Sequence, residues 1–334
     1  MGKRWIVVLA SIAVVLLLAL AFNQPSGAVS GALREKASIG YYPFGGNVLF
    51  YIALENGYFA EQGLEVEAVR FDDLKMQVNS VVAGKVDAAA ALGYSTAFAV
   101  EAAQPGELKL FGFAGETLEK PVSLLVVAKN SSIRALADLK GKTIAAGGVS
   151  NIPLIKLALK NSGQINDPDK DVAFADVSSK LLLEALASGQ VDVIYAPEPL
   201  ATIAVEKGVG RVLVKSLRAQ YIMNPMPTGS IGMVSTKFMR EKPLVVKKIV
   251  NAFEKALDYF ERDEAGARRI LAKHLKLEEN IAMKMNLYWF KKSMLAGAGD
   301  EDAPQKVADL LYENGLLKKR VSVSGLLLTE RDFS

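Results

Sequence analysis

Five short stretches of this 334-residue chain carry groups suited to chemistry. Tyr41-Tyr42-Pro43-Phe44-Gly45-Gly46-Asn47 sets aromatic rings beside two glycines, a flat apolar wall with polar tips and a backbone open to close approach. Gly93-Tyr94-Ser95-Thr96 and Gly147-Gly148-Val149-Ser150-Asn151 each open a helical pattern, where hydroxyls and free N–H groups cap the helix or hold an anion. Pro197-Glu198-Pro199 fixes a carboxylate between two prolines, suited to a ligand with N–H or ammonium donors or to capping the next helix. Met223 to Gly229 precedes a strand pattern and reads as a hinge or a pocket rim.

What is missing narrows the chemistry further. With no Cys there is no disulfide framework, thiolate nucleophile, Cys-ligated metal or acylated lipoprotein cysteine. The one His, His274, lies in the basic stretch Arg268–His274 and reads as a surface helix residue, far in sequence from the five stretches. Lys318-Lys319-Arg320 likewise reads as a solvated helix end. No Gly-Lys-Ser/Thr follows Gly147-Gly148, so a nucleotide P-loop is excluded. A net charge of +4, from 40 Lys+Arg against 36 Asp+Glu scattered along the chain, argues against nucleic acid. No catalytic residue, metal or cofactor is expected.

The elements that must position these stretches alternate. Strand patterns at 38–41, 64–71, 86–92, 108–114, 122–128, 143–146, 172–177, 191–195 and 230–235 are separated by helix patterns at 48–56, 74–83, 96–103, 152–161 and 179–187. Beyond Ser235 the chain turns mostly helical to about Asn314. Such alternation means α/β architecture with largely parallel sheets. Sliding the chain by 105 residues lays 84–101 on 189–206, with Gly84, Val86, Asp87, Ala91, Ala99, Val100 and Glu101 matched. That offset suggests two lobes on one topology, with ligand-holding loops at the carboxyl ends of both sheets. Ahead of them, residues 1–28 read as an address. Lys3 and Arg4 precede an uncharged run of 18 residues, Trp5 to Phe22, then Pro25-Ser26-Gly27-Ala28. This is either a cleaved secretory signal or a retained anchor, and both place the remainder outside the cytoplasmic membrane.

Four motifs add a family likeness: Ile52 to Glu67 with its helix–Gly57–Tyr58-Phe59–Gly63-Leu64 order; Val81-Val82-Ala83-Gly84-Lys85-Val86-Asp87; Ala137 to Ala145; and Ala187 to Asp192 with Glu198-Pro199 after it. In this order, across about residues 38–260, the chain resembles the extracytoplasmic solute-binding proteins of nitrate, taurine and aliphatic-sulfonate ABC importers, with the related thiamine-precursor binders. The resemblance implies a two-lobed periplasmic-binding-protein fold of type II, each lobe a mostly parallel sheet flanked by helices. Two crossing strands, Ser123–Ala128 and Ser230–Ser235, would join the lobes. Lobe 1 would comprise 37–122, completed by 230–334, and lobe 2 would comprise 123–229. The solute would lie between lobes that close by hinge bending.

By position, Ser95, Thr96, Ser150 and Asn151 would hold an oxyanion. The candidate loops carry no Arg or His, whereas Tyr41, Tyr42, Phe44, Tyr94 and Tyr195 with Glu116 and Glu198 suit a flat or nitrogen-bearing solute equally well. Asn47 and Thr228 complete the expected ligand-binding set. The implied partners are a small solute and a membrane permease with its ATPase, and the expected state is a monomer. Two other functions keep the fold. Yeast-type pyrimidine synthases need a Cys-rich motif and an active-site His, whereas here Cys is zero and His274 lies outside the motif loops. A membrane-tethered sensor would need the leader retained.

Overall fold

The structure, a computed structural model, describes residues 34–147 and 151–333. The leader at 1–28 and the loop residues Gly148, Val149 and Ser150 lie outside the described residues. The strands are β1 (Glu35–Tyr41), β2 (Leu64–Arg70), β3 (Ala88–Gly93), β4 (Leu108–Glu116), β5 (Ser123–Ala128), β6 (Thr143–Ala146), β7 (Ala173–Asp176), β8 (Val193–Pro197), β9 (Gly210–Val214), β10 (Met226–Ser235) and β11 (Trp289–Phe290). The helices begin with α1 (Val48–Glu55), α2 (Tyr58–Glu61), α3 (Leu74–Val82), α4 (Tyr94–Ala103), α5 (Ile152–Asn161), α6 (Pro168–Asp171) and α7 (Leu182–Ala187). They continue with α8 (Leu200–Glu206), α9 (Leu217–Tyr221), α10 (Thr236–Glu241), α11 (Pro243–Arg262), α12 (Glu264–Leu275), α13 (Glu279–Lys284) and α14 (Asp302–Glu313).

Two sheets share one plan. In the first, β2, β1 and β3 pair in parallel, β10 inserts antiparallel between β3 and β4, and β11 pairs with β4 at the edge. In the second, β7, β6 and β8 pair in parallel and β5 inserts antiparallel between β8 and β9. Strand β3 at 88–93 and strand β8 at 193–197 start 193 − 88 = 105 residues apart, the offset read from the sequence. The likeness extends to the hydrogen bonds. The Asp87 carboxylate accepts from the Ser38 N–H on β1 at 2.7 Å, and the Asp192 carboxylate accepts from the Thr143 N–H on β6 at 2.9 Å. Gly84 and Gly189, ahead of these turns, take left-handed φ values of 66° and 73°, which a side chain would oppose.

The chain crosses between the sheets at 117–122 and again at 222–225, and the strands that follow are β5 and β10, those expected. The Leu118 N–H donates to Asn224 Oδ1 at 3.3 Å, tying one crossing to the other. Most strand limits shift by one to three residues, and three departures bear on the loops. Helix α4 begins at Tyr94 rather than Thr96, because Gly93 is itself the extended cap and Tyr94 stacks on Phe98 one turn on, centroids 4.9 Å apart. Helix α7 begins at Leu182 rather than Ser179, after a turn in which the Leu181 N–H donates to Ser178 O. Strand β10 begins at Met226 rather than Ser230, so most of the supposed hinge stretch after Asn224 is sheet.

The first lobe's core is fixed by α11, whose Val246, Ile249, Val250, Phe253, Ala256, Leu257 and Phe260 recur at helical spacing and are buried. Phe253 meets Phe50 of α1, Phe59 of α2 and Phe111 of β4 at centroid distances of 6.3, 5.8 and 5.4 Å. Phe111 lies flat over Gly232 of β10, where a Cβ would come within 2.1 Å of the ring. A Gly232→Ala protein is therefore expected to lose about 1–3 kcal/mol of unfolding free energy, since the ring must leave its packed position. Urea denaturation measures it, and an unchanged midpoint would show that the ring moves freely.

Candidate functional site

The carboxyl-end loops of the two lobes meet. Gly45, in the loop between β1 and α1, reaches the second lobe: a Cβ there would lie 3.6 Å from Glu198 O, besides 3.5 Å from Met285 Cε and 3.6 Å from Tyr288 Cε2. Tyr42 and Phe44 pack on each other with centroids 5.9 Å apart, and Phe44 meets Tyr288 edge-on at 6.1 Å. Asn47, buried beneath this loop, donates through Nδ2 to Tyr42 O and leaves Oδ1 without a partner among the described residues.

Glu198 stands where β8 ends and is 3% exposed. Its carboxylate accepts from the Thr202 N–H at 3.2 Å and the Thr202 hydroxyl at 3.0 Å, which caps α8. From the other lobe it accepts the Asn286 N–H at 3.2 Å and Asn286 Nδ2 at 2.9 Å. The sequence sets this carboxylate against a helix or a solute; in the structure it faces a helix and the opposite lobe. Lys284 of α13 pairs with Glu206 of α8 further along the same contact.

A second carboxylate organises the hinge. Glu116 ends β4 and is fully buried. It accepts from the Val122 N–H at 3.3 Å, the Ser123 N–H at 3.0 Å and the Ser123 hydroxyl, so it staples both ends of the first crossing. Its remaining donor is Arg218 Nε at 3.1 Å, delivered by α9 from the second lobe. Helix α9 is itself anchored through Ser216, whose hydroxyl donates to Thr117 O at 2.7 Å. The Arg218 guanidinium lies 5.6 Å from the centre of the Tyr195 ring, a cation–π distance. Burial works against its charge, but Tyr195, Glu116 and Tyr288 outweigh that and hold it above the ordinary guanidinium range. Burial pushes the Tyr195 phenol up to about 12 and drives Tyr288 higher still. The two terminal guanidinium nitrogens have no protein acceptor among the described residues, and the side chain keeps 12% exposure. They are the free cationic edge of this cluster.

The structure thus brings together Tyr42, Phe44, Asn47, Glu116, Tyr195 and Glu198 from the sequence-derived set. The others stand apart. Tyr41 turns to Phe50 and Tyr51, at 5.5 and 5.9 Å, and belongs to packing. Tyr94 is 1% exposed in an apolar cluster with Leu154 of α5 and Ala219 of α9, and its hydroxyl has no partner among the described residues. Ser95 and Thr96 occupy the first turn of α4, half-buried, below a cap that offers no side-chain bond. Asn151 donates through Nδ2 to Gly147 O at 2.7 Å instead of capping α5. Thr228 donates to Ala114 O at 3.3 Å across the β10–β4 irregularity, and Ser150 is outside the described residues.

Sequence reasoning missed Arg218, Asn286 and Tyr288. Arg218 is 102 residues from Glu116 and sits on a five-residue helix with no motif, so only tertiary contact reveals it. His274 is also less exposed than a surface helix residue: it stacks on Tyr51, centroids 4.3 Å apart, with Nε2 2.9 Å from Glu55 Oε1. That cluster lies on α1 and α12, apart from the loops. A separate concavity of about 420 Å³ beside the first crossing, floored by Phe260, Trp289 and Phe290, contains none of the loop residues.

Comparison with known proteins agrees with the two-lobed fold. A Brucella abortus (strain 2308) protein named as a binding protein is 27% identical over 264 residues, which are 78% of this chain and 77% of that protein. Among solved structures, the alkanesulfonate-binding protein SsuA from Xanthomonas axonopodis pv. citri, bound to MOPS, superposes with a TM-score of 0.71 at 22% identity over 90% of this chain and all of that one. The desulfurization enzyme DszB shares the fold too, with a TM-score of 0.69 at 18% identity over 90% of this chain and 98% of its own. A family profile described as NMT1/THI5 like matches residues 47–265. With about two thirds of its length under that profile, the chain belongs to the NMT1/THI5-like family.

Proposed function

We propose that this protein is the extracytoplasmic solute-binding component of an ABC importer, holding a small organic anion of the sulfonate, taurine or nitrate kind between its lobes. Arg218 carries the reading. The sequence offered no cation at the candidate loops, and α9 supplies one, with its Nε held by Glu116 and its terminal N–H groups open. A planar donor fork beside aromatic walls suits a compact oxyanion bearing an organic tail. The working lobes are 37–122 with 230–334, and 123–229. Closure around solute would present both lobe faces to a permease. The protein acts as an exported monomer, by binding and release without turnover.

A flat, nitrogen-bearing solute such as a thiamine-precursor pyrimidine is the second reading. It is favoured by the unpartnered Asn47 Oδ1, an acceptor awaiting a donor beside Tyr42 and Phe44. A thermal-shift screen against taurine, alkanesulfonates, nitrate, aromatic carboxylates and thiamine pyrimidines separates the two. A true solute at one hundred times its Kd is expected to add roughly 2.7 kcal/mol of stability. Silence across all classes rejects both solutes, and turnover of any compound rejects binding without chemistry.

A further inference from the structure

The Glu198 contact joins four observations. The carboxylate is buried, its four donors are all uncharged, two of those donors belong to the opposite lobe, and Gly45 of the first lobe lies against its backbone. Opening the lobes removes Asn286 from Glu198 and returns water to it, while the Thr202 cap remains because it lies on the same lobe. The environment of this one group therefore changes with every closure. We propose that Asn286 and Glu198 form a clasp between the lobes that takes up a proton on closing, so that solute capture tightens as the medium acidifies. The solute half rests on the binding reading above; the closure half needs only the two-lobed fold.

The sign follows from the balance at Glu198. Burial is the largest influence and pushes the carboxyl above the ordinary carboxylate range, against the opposing Asn286 and Thr202 hydrogen bonds. In the open form, hydrated and still capped by Thr202, the same group returns to or below that range. The closed form thus holds the proton more tightly. Closure is favoured at low pH, and the advantage is lost as pH rises through the closed-state value. Neighbouring groups do not blur this. Tyr195 on β8 and Tyr288 ahead of β11 have phenols pushed upward by burial and stay neutral in acid. Arg218 and Glu116 offset each other, as do Lys284 and Glu206 along the α8–α13 contact. The loop at 42–47 brings Tyr42 and no charged side chain.

The chain has no Cys, so a Met76→Cys, Lys140→Cys pair, one exposed site on each lobe, takes a donor and an acceptor dye. Energy transfer is read without solute from pH 8 to pH 4.5. The closed-to-open ratio is expected to rise toward acid, by at most tenfold per pH unit for one proton. Glu198→Gln, a neutral isostere that Asn286 still clasps, is expected to flatten the response near the acid level. Asn286→Ala is expected to flatten it near the open level. A pH response unchanged in Glu198→Gln, or a flat wild-type profile in a protein that binds solute, overturns the clasp. A protein that binds none of the screened solutes yet closes in acid keeps the clasp and loses the solute reading instead. With a solute in hand, Kd is expected to fall over the same pH window in wild type and to stay constant in Glu198→Gln.

Discussion

An Arg218→Leu protein is expected to unfold about 3–5 kcal/mol more readily than wild type, the largest single loss anticipated in this molecule. Glu116 is fully buried and Arg218 is its only cationic partner among the described residues. Removing the guanidinium leaves the Glu116 carboxyl group sealed beneath the crossing with three neutral donors, Val122 N–H, Ser123 N–H and the Ser123 hydroxyl. Leu also strips the cation from the Tyr195 ring. Urea denaturation at neutral pH reads the loss. The double variant Glu116→Gln, Arg218→Leu is expected to regain most of it, because Gln removes the stranded carboxyl group and still accepts from the crossing. Solute binding should not return with stability. The double variant restores the hinge without restoring the cationic edge, so a folded protein with no affinity for anions is the expected outcome. Full affinity in that double variant would show that the anion is held elsewhere, with the Ser95 and Thr96 hydroxyls at the start of α4 the first alternative.

This pair also shows where sequence reading stops. The framework was legible because it rests on local rules. Gly84 and Gly189 end helices at left-handed φ, Asp87 and Asp192 sit in the turns that follow, and β3 and β8 are apolar throughout. Each feature leaves its mark within a dozen residues, and the 105-residue offset exposed their recurrence. The twin carboxylates in the turns were matched by identity, and the structure supplies their common duty, a bond to the neighbouring parallel strand. The site was legible only in half. Tyr42, Phe44 and Glu198 lie on loops that strands aim at the cleft, so their place followed from topology. Arg218, Asn286 and Tyr288 arrive from a five-residue helix and from the irregular stretch between α13 and β11. Nothing local distinguishes those residues from surface ones. Their roles exist only once the two lobes and the return segment are folded against each other.

Gly45→Trp is expected to weaken solute capture about a hundredfold in a protein that still folds. Gly45 does not take a left-handed φ, so the backbone accepts a side chain. The space does not extend beyond a methyl group. A Cβ would meet Met285, Tyr288 and the Glu198 carbonyl at 3.5–3.6 Å, ordinary contact, and every further atom must displace one of them. Glu198 belongs to the other lobe, so parting the lobes at the crossings relieves that contact, while Met285 and Tyr288, packed with the first lobe's core, must shift as well. Apparent affinity scales with the population of the closed form. A wedge that reduces closure to about 1% weakens binding about a hundredfold, or roughly 2.7 kcal/mol. Unfolding free energy is expected to fall by about 1–3 kcal/mol, because Met285 of the first lobe's core and Tyr288 must shift around the ring. Gly45→Ala is the control, expected to bind within about threefold of wild type. Small-angle scattering should report a larger radius for the Trp variant in the presence of solute. If that variant instead closes and binds normally, the loop at 42–47 is free to swing aside, and Tyr42 and Phe44 cannot form a fixed wall of the cleft.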